Sequence, residues 1–309
     1  MPEGHTVHRL AGALTELFSG HRPTITSPQG RFSQGAAKLN GQIALSAEAW
    51  GKHFFMPFAP EPTEVTLGED GPDWLHVHLG LYGSWSFDGD GEFIAVHTIG
   101  APRRRIGERE QLSEGADERR VAEWEPPTPK DTVRVRFAQP HGIADLTGPN
   151  QCQVLSGSEV RAVLKRLGPD PLRNNPGDRE RFISLVRKRK VPVGQLVMDQ
   201  AVTAGPGNIY RADCLFRVGI SPLRPGNRVS EHRLGLLWDD LVSAMSEGVR
   251  DGIILTNPPE YIPLDPIDEQ DRRFAVYQRS GRACWRCGNT IAEMAMAGRR
   301  LFWCPGCQR

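Results

Sequence analysis

The spacing of apolar positions changes period about halfway along the chain. Val7, Leu10, Ala11, Leu14, Leu17 and Phe18 recur at helical intervals and form one stripe. That stripe predicts a helix of about four turns. Ser19-Gly20 ends it and Pro23 blocks its continuation. Short apolar runs separated by turn residues then predict strands at 43–45, 53–56, 74–79, 84–87 and 93–96. Val133-Arg134-Val135-Arg136-Phe137 alternates and closes the set. Short strands at this spacing indicate a β-sandwich or barrel.

Beyond residue 150 the period becomes helical, with predicted helices at 159–167, 178–188, 208–218 and 231–249. Residues 252–272 are rich in Pro and Asp and read as a linker. Residues 102–130 are rich in Arg, Glu and Pro and nearly devoid of apolar side chains, so they read as a mobile insertion. The expected fold is an N-terminal β-sandwich carrying the N-terminal helix, followed by a helical domain with a metal ribbon. The expected boundaries are 1–150, 151–268 and 269–309.

Composition narrows the class. No apolar run approaches the ~20 residues of a membrane span, and no basic segment followed by an apolar one marks a secretory signal. A cytoplasmic protein is expected. The net charge of +1 hides an asymmetry. Residues 151–309 carry 24 Lys and Arg against 17 Asp and Glu, whereas residues 1–150 carry 14 against 20. A basic second half suits a phosphate-binding surface, although a solvated charged face would look the same.

Four of the six cysteines form two Cys-x2-Cys knuckles, Cys284/Cys287 and Cys304/Cys307, with sixteen residues between the pairs. This spacing supplies four thiolates to one tetrahedral structural Zn²⁺ and leaves no open coordination position. Cys152 and Cys214 remain, and read as reduced thiols in a core or on a helix face. Between the knuckles, Arg299 and Arg300 sit at the tip of a predicted hairpin. A second block runs from Pro192 through Ala204-Gly205-Pro206-Gly207 into Asn208-Ile209-Tyr210-Arg211. It reads as helix, two tight turns, helix, with N–H groups at the second helix start able to hold a phosphate. An ordinary helical hairpin with Asn208 as N-cap is the plain alternative. The chain begins Met1-Pro2-Glu3-Gly4-His5. Trimming of Met1 would expose the Pro2 amine beside a carboxylate, a pair able to form a Schiff base at a sugar carbon and shuttle its protons.

Taken together, the Pro-Glu-Gly start, Leu167-Gly-Pro-Asp-Pro-Leu172, Gly-Asn-Ile-Tyr-Arg-Ala, the Arg-x-Gly-Arg before Cys284 and the terminal Cys-Pro-Gly-Cys-Gln resemble the formamidopyrimidine-DNA glycosylase / endonuclease VIII family. The resemblance spans nearly the whole chain. It is nearest the actinobacterial endonuclease VIII branch, with its Pro-Glu-Gly-His-Thr start and Gly-Lys-His-Phe. It implies a bifunctional DNA glycosylase and abasic-site lyase acting on damaged double-stranded DNA as a monomer. By resemblance Pro2 is the nucleophile, Glu3 the acid/base, and Lys52 a phosphate-holding lysine. Asn208 is the phosphate-binding asparagine, and Arg299 the ribbon arginine that grips phosphates, with Arg300 the alternative one register away.

An enzyme acting on a stacked base flips it out and fills the hole. Leu81 and Tyr82, between Gly80 and Gly83, fit a wedge loop, or else are ordinary strand-end residues. The family's purine-directed members carry an Arg-Arg-Phe-Gly loop, which the matching 142–148 segment lacks. That departure implies oxidised pyrimidines as substrates. The alternatives are the same chemistry on ring-opened or oxidised purines, or a non-catalytic DNA-binding relative. Asp213 stands where relatives often have Glu. His76 and His78 alternate on one strand face but lack partners suited to a metal. Arg187-Lys188-Arg189-Lys190 reads as part of a backbone-contacting face or as a helix-end charge cluster.

Overall fold

The computed structural model describes residues 2–95, 98–100, 124–262 and 269–309. Most of the expected insertion at 102–130 lies outside these residues. The chain divides into two compact units. One contains residues 1–2 and 6–165, and the other contains residues 3–5 and 166–309.

The first unit opens with helix α1 (Gly4–Phe18), whose first two residues are counted with the second unit. Strand β1 (Thr24–Thr26), helix α2 (Ser33–Leu39), and strands β2 (Ile43–Ala44), β3 (Glu48–Trp50), β4 (His53–Ala59) and β5 (Asp73–His78) follow. Next come β6 (Ser84–Gly89), β7 (Thr98–Gly100), β8 (Val133–Gln139), β9 (Gly142–Thr147), β10 (Gln151–Leu155) and helix α3 (Gly157–Leu164). One antiparallel sheet has the order β1-β8-β9-β6-β7. The other has the order β10-β5-β4-β2, with β3 also pairing β4.

Alternation along each strand sends one set of side chains inward. Phe54, Met56, Leu75 and Val77 from one sheet share a core with Trp85, Val135, Phe137 and Leu146 from the other. The α1 stripe, Val7, Leu10, Leu14 and Phe18, is buried in that same core. This is the expected β-sandwich with its N-terminal helix.

Two local expectations need correction, and one helix goes unpredicted. The run at 93–96 is not a strand over its described residues, and β7 begins at Thr98. Phe93 instead turns its ring into the core beside Gly89 and Gly142, where any Cβ would collide with it. Helix α2 was not anticipated, because only Ala36 and Leu39 on it are buried and no stripe results. Residues 252–272 are not wholly a linker. Thr256 and Asn257 are buried, and both backbone N–H groups donate to the Arg273 carbonyl, at 2.8 and 2.9 Å.

The second unit contains α4 (Asp178–Arg187), the short α5 (Val193–Leu196), α6 (Asn208–Arg217), α7 (Glu231–Asp251), the short α8 (Glu269–Arg273), and a hairpin of β11 (Ala292–Met296) and β12 (Arg299–Trp303). Phe182, Leu196, Tyr210, Leu215, Leu237 and Trp238 lie in its helical core. A second cluster joins α6 to the ribbon through Ala212, Phe216, Ile291 and Phe302. No helix among the described residues is long and apolar enough to cross a membrane.

Asp213, on α6, ties that junction. Its fully buried carboxylate accepts from the N–H of Ala275 at 2.7 Å, Val276 at 3.0 Å and Tyr277 at 2.9 Å, and from the Thr256 hydroxyl at 2.5 Å. Burial pushes this carboxyl up, and the four donors pull it back. The Arg-x-Gly-Arg motif is also structural. Arg279 and Arg282 both donate to Asp271, at 3.1 and 2.7 Å, and Arg279 lies 4.1 Å over the Trp285 ring. We predict that Asp213→Ala, which leaves four buried donors without their acceptor, costs about 3–5 kcal/mol. Denaturant melts should show it, and a loss below about 1 kcal/mol would contradict this account.

Candidate active site

The site is built on the start of α6. A helix leaves its first N–H groups without intrahelical partners, and they carry partial positive charge. Here the N-cap is Gly207 and no side chain at that position serves them. The Glu3 carboxylate does so instead. One oxygen accepts from Gly207 N–H at 2.7 Å and the other from Ile209 N–H at 3.0 Å. Glu3 is only 1% exposed. Gly4 N–H donates to the Gly205 carbonyl at 2.9 Å, so Gly205 and Gly207, the second and fourth residues of the Ala204–Gly207 stretch, both engage the chain start.

Gly207 is required by this approach. A Cβ there would lie 2.5 Å from the Glu3 carboxyl carbon and 2.6 Å from its oxygen. The turns themselves are shaped by Gln200, which accepts from Gly205 N–H at 2.9 Å and donates to the Pro206 carbonyl at 3.1 Å.

Asn208 is therefore the first helical residue and not an N-cap. Its amide donates to the Arg300 carbonyl at 2.9 Å. Arg211, three residues on and on the same helical face, donates through one nitrogen to the Asn208 amide oxygen and to the Arg300 carbonyl, the latter at 3.1 Å. Residue pairing along the ribbon separates the two neighbouring arginines. Arg300 makes a bidentate pair with Glu293 at 2.6 Å. Arg299 opens β12, and its charge is felt by Arg211. Sequence reasoning overlooked Arg211. Its signal was a charged residue one helical turn after Asn208, which ordinarily marks a solvated face.

The ribbon's thiolates converge. The Sγ atoms of Cys284, Cys287, Cys304 and Cys307 all lie within 4.8 Å of one another, with closest separations of 3.8 Å for Cys284 and Cys307 and 3.4 Å for Cys287 and Cys304. These spacings fit four ligands around one metal ion. Gln308 seats the second knuckle, accepting from Cys304 N–H at 2.8 Å and donating to the Ile220 carbonyl at 3.0 Å. Among the described residues this is the one cluster able to hold a metal. His76 instead lies in a hydrogen bond with His53, at 2.9 Å. The other two cysteines are poor nucleophiles, since burial pushes Cys152 up to about 12 and Cys214 well above its usual value.

In the first unit, Lys52 occupies the two-residue turn between β3 and β4. Gly51, at φ +60°, supplies the left-handed conformation that this turn needs. His78 lies close enough to Lys52 that its pKa is lowered, by burial first and by the lysine charge second. Leu81 and Tyr82 form the turn between β5 and β6 and are 41% and 79% exposed. Gly83 N–H donates to the Leu79 carbonyl at 3.0 Å, which closes the base of this turn and leaves its tip free. Pro2 is buried and immediately precedes Glu3.

Nearly the whole chain is similar to known proteins. Residues 1–149 match the formamidopyrimidine-DNA glycosylase N-terminal domain, and residues 167–258 match the formamidopyrimidine-DNA glycosylase H2TH domain. The chain is 38% identical to Endonuclease 8 1 of Mycobacterium tuberculosis over 315 residues, covering all of both chains. It is 25% identical over 319 residues to the formamidopyrimidine-DNA glycosylase of Ruegeria pomeroyi, covering 100% of this chain and 99% of that one. Among solved structures, a complex between Lactococcus lactis Fpg and an abasic site containing DNA superposes with a TM-score of 0.70 at 20% identity, over 99% of each chain. The MutM complex with carbocyclic 8-oxo-G containing DNA gives 0.69 at 20% identity over 100% of each. The chain belongs to the formamidopyrimidine-DNA glycosylase / endonuclease VIII family of DNA glycosylases.

Proposed function

We propose that this protein is a bifunctional DNA glycosylase and abasic-site lyase that excises oxidised pyrimidines from damaged double-stranded DNA, acting as a monomer in the cytoplasm, at the nucleoid. The observation that carries the reading is the buried Glu3 carboxylate, anchored by two backbone N–H groups one peptide bond from Pro2. Removal of Met1 frees the Pro2 imino nitrogen. Its lone pair forms a bond to C1′ as the C1′–base bond breaks, and the proton shed by the Pro2 nitrogen goes to the departing base. Glu3 in its acid form gives its proton to the sugar ring oxygen as the bond from C1′ to that oxygen breaks, which leaves an iminium on Pro2 and a carboxylate on Glu3. Loss of a C2′ proton then expels the 3′ phosphate. Loss of a C4′ proton expels the 5′ phosphate, and water releases the remaining sugar fragment from Pro2.

The other residues hold the substrate. Lys52, Asn208 and Arg299 bind phosphates around the flipped nucleotide, and Leu81 and Tyr82 fill the space it leaves. In this reading residues 1–150 bear the nucleophile, 151–268 the helix–two-turn–helix element, and 269–309 the ribbon. The ribbon metal is one Zn²⁺, whose four thiolates hold the hairpin that presents Arg299 and take no part in bond breaking. Pyrimidine preference rests on the 142–148 segment, which forms β9 and lacks the Arg-Arg-Phe-Gly loop.

Three tests follow from this assignment. Borohydride should trap the mature enzyme on abasic-site duplex through Pro2, and Glu3→Gln should lower base excision by about 10² or more. Thymine glycol and dihydrouracil should be excised ahead of 8-oxoguanine and formamidopyrimidine. Intact mass retaining Met1 in a fully active preparation would remove the imine mechanism, and a reversed lesion order would remove the pyrimidine assignment.

Gly207→Ala should push the Glu3 carboxylate off its donors. Excision should fall by about 10² while metal content and DNA affinity persist; near-normal excision would show that Glu3 does not work from this anchor. Cys304→Ser should lower zinc content, thermal stability and DNA affinity together. A variant that keeps one zinc per chain would refute the ribbon assignment.

A further inference from the structure

The turn that carries Leu81 and Tyr82 does not stand alone. The segment from Thr147 to Asn150, which joins β9 to β10, runs along it. The Ser84 and Thr147 hydroxyls share a hydrogen bond at 3.3 Å. A Cβ built on Gly148 would lie 3.0 Å from the Tyr82 carbonyl oxygen, and one built on Gly80 would lie 2.8 Å from Asn150 Cβ. Asn150 N–H donates to the His78 carbonyl at 2.9 Å. Gly80 and Gly148 have left-handed backbones, at φ +68° and +61°, so each turn needs glycine where it meets the other. Asn150 itself is exposed. Its Cβ is packed on Gly80, so the amide is the part that reaches solvent, beside the base of the wedge turn.

We propose that Asn150 reads the base left without a partner when the damaged nucleotide leaves the stack, and that its ligand is the Watson–Crick edge of a purine. This deepens the proposed function and rests on the reading of Leu81 and Tyr82 as the wedge. Those two side chains suit filling a hole better than reading a base. Leu81 forms no hydrogen bond, and Tyr82 brings a single hydroxyl. A carboxamide sets a donor and an acceptor side by side and can meet a base edge at two points.

An oxidised pyrimidine stands opposite adenine or guanine, according to whether it came from thymine or cytosine. Adenine offers an N6 donor beside an N1 acceptor, whereas guanine offers an O6 acceptor beside an N1–H donor. The two orders are opposite, and a half-turn of the Asn150 amide about its last bond matches either. A carboxamide at this position therefore accepts both partners. A carboxylate has acceptors only. It would take the N1–H and N2–H of guanine and would oppose the N1 lone pair of adenine.

The experiment measures the affinity of wild type, Asn150→Asp and Asn150→Ala for duplexes in which a tetrahydrofuran abasic analogue faces adenine, guanine or a second tetrahydrofuran. Both replacements keep the Cβ against Gly80 and the N–H bonded to His78, so the two turns stay together. Wild type should bind the adenine and guanine duplexes within about threefold of each other. Asn150→Asp should raise the preference for guanine over adenine about tenfold. Taking the ratio cancels the general repulsion that an added negative charge brings. Asn150→Ala should lose about tenfold on both purine duplexes and nothing where a second tetrahydrofuran leaves no edge to read. An unchanged or reversed guanine-to-adenine ratio in Asn150→Asp overturns the proposal. So does an equal loss by Asn150→Ala on all three duplexes, which would make Asn150 merely structural. Leu81→Ala and Tyr82→Ala, run in parallel, test the wedge by itself and should weaken binding to all three duplexes alike. Wild-type affinity in both removes the wedge reading, and the Asn150→Asp ratio still decides the role of Asn150. Tetrahydrofuran is not excised, so these ratios hold whatever order of lesions the enzyme prefers.

Discussion

The contact between the Glu3 carboxylate and the first N–H groups of α6 governs the rest of the site. A helix N-terminus attracts a negative charge, and most helices meet that need with a side chain at the cap. This helix has glycine at its cap and uses a carboxylate from the far end of the sequence. Several otherwise unrelated features follow. Gly207 must lack a side chain, Gly4 must approach Gly205 closely, and Glu3 must be desolvated. Because Pro2 is one peptide bond from Glu3, the same anchor restricts the chain start. The nucleophile proposed at Pro2 would otherwise lose much of its efficiency to conformational freedom.

Helix α6 carries more than this one contact. Its first turn holds Glu3, its face at Asn208 and Arg211 holds the Arg300 carbonyl, and Asp213 gathers the 275–277 backbone. Ala212 and Phe216 add apolar contact with the ribbon. A ribbon this small has little core of its own. Its position comes from α6 and its internal shape from the four thiolates. The cluster and the helix thus act on different properties of one hairpin.

Features set by neighbouring residues were legible in the sequence. The α1 stripe, the two cysteine knuckles and the long amphipathic α7 all follow from local spacing, and all are present. Features set by distant partners were not. Nothing within Met-Pro-Glu announces a contact more than two hundred positions away. Arg211 was hidden because a charged helix residue is ordinarily solvated. Phe93 misled for the opposite reason: an apolar run reads as a strand, but its ring fills the space left by two glycines. Thr256 and Asn257 lie in a Pro-rich stretch whose order comes from Arg273 and Asp213 and not from itself.

Spacing leaves the choice between Arg299 and Arg300 open, and the pairing of the two side chains in the structure bears on it. Successive residues of a strand face opposite ways, so the two guanidiniums cannot serve the same surface. Arg300 is satisfied by Glu293 on the paired strand, and its carbonyl is held from the other side by Asn208 and Arg211. A phosphate binding at Arg300 would have to compete with a bidentate carboxylate already in place. The charge of Arg299 is felt by another cation, Arg211. Like charges brought together without an anion between them are unfavourable, and an incoming phosphate relieves that repulsion. The pairing of Arg300 with Glu293 thus supports the grip proposed at Arg299, which the family resemblance suggests.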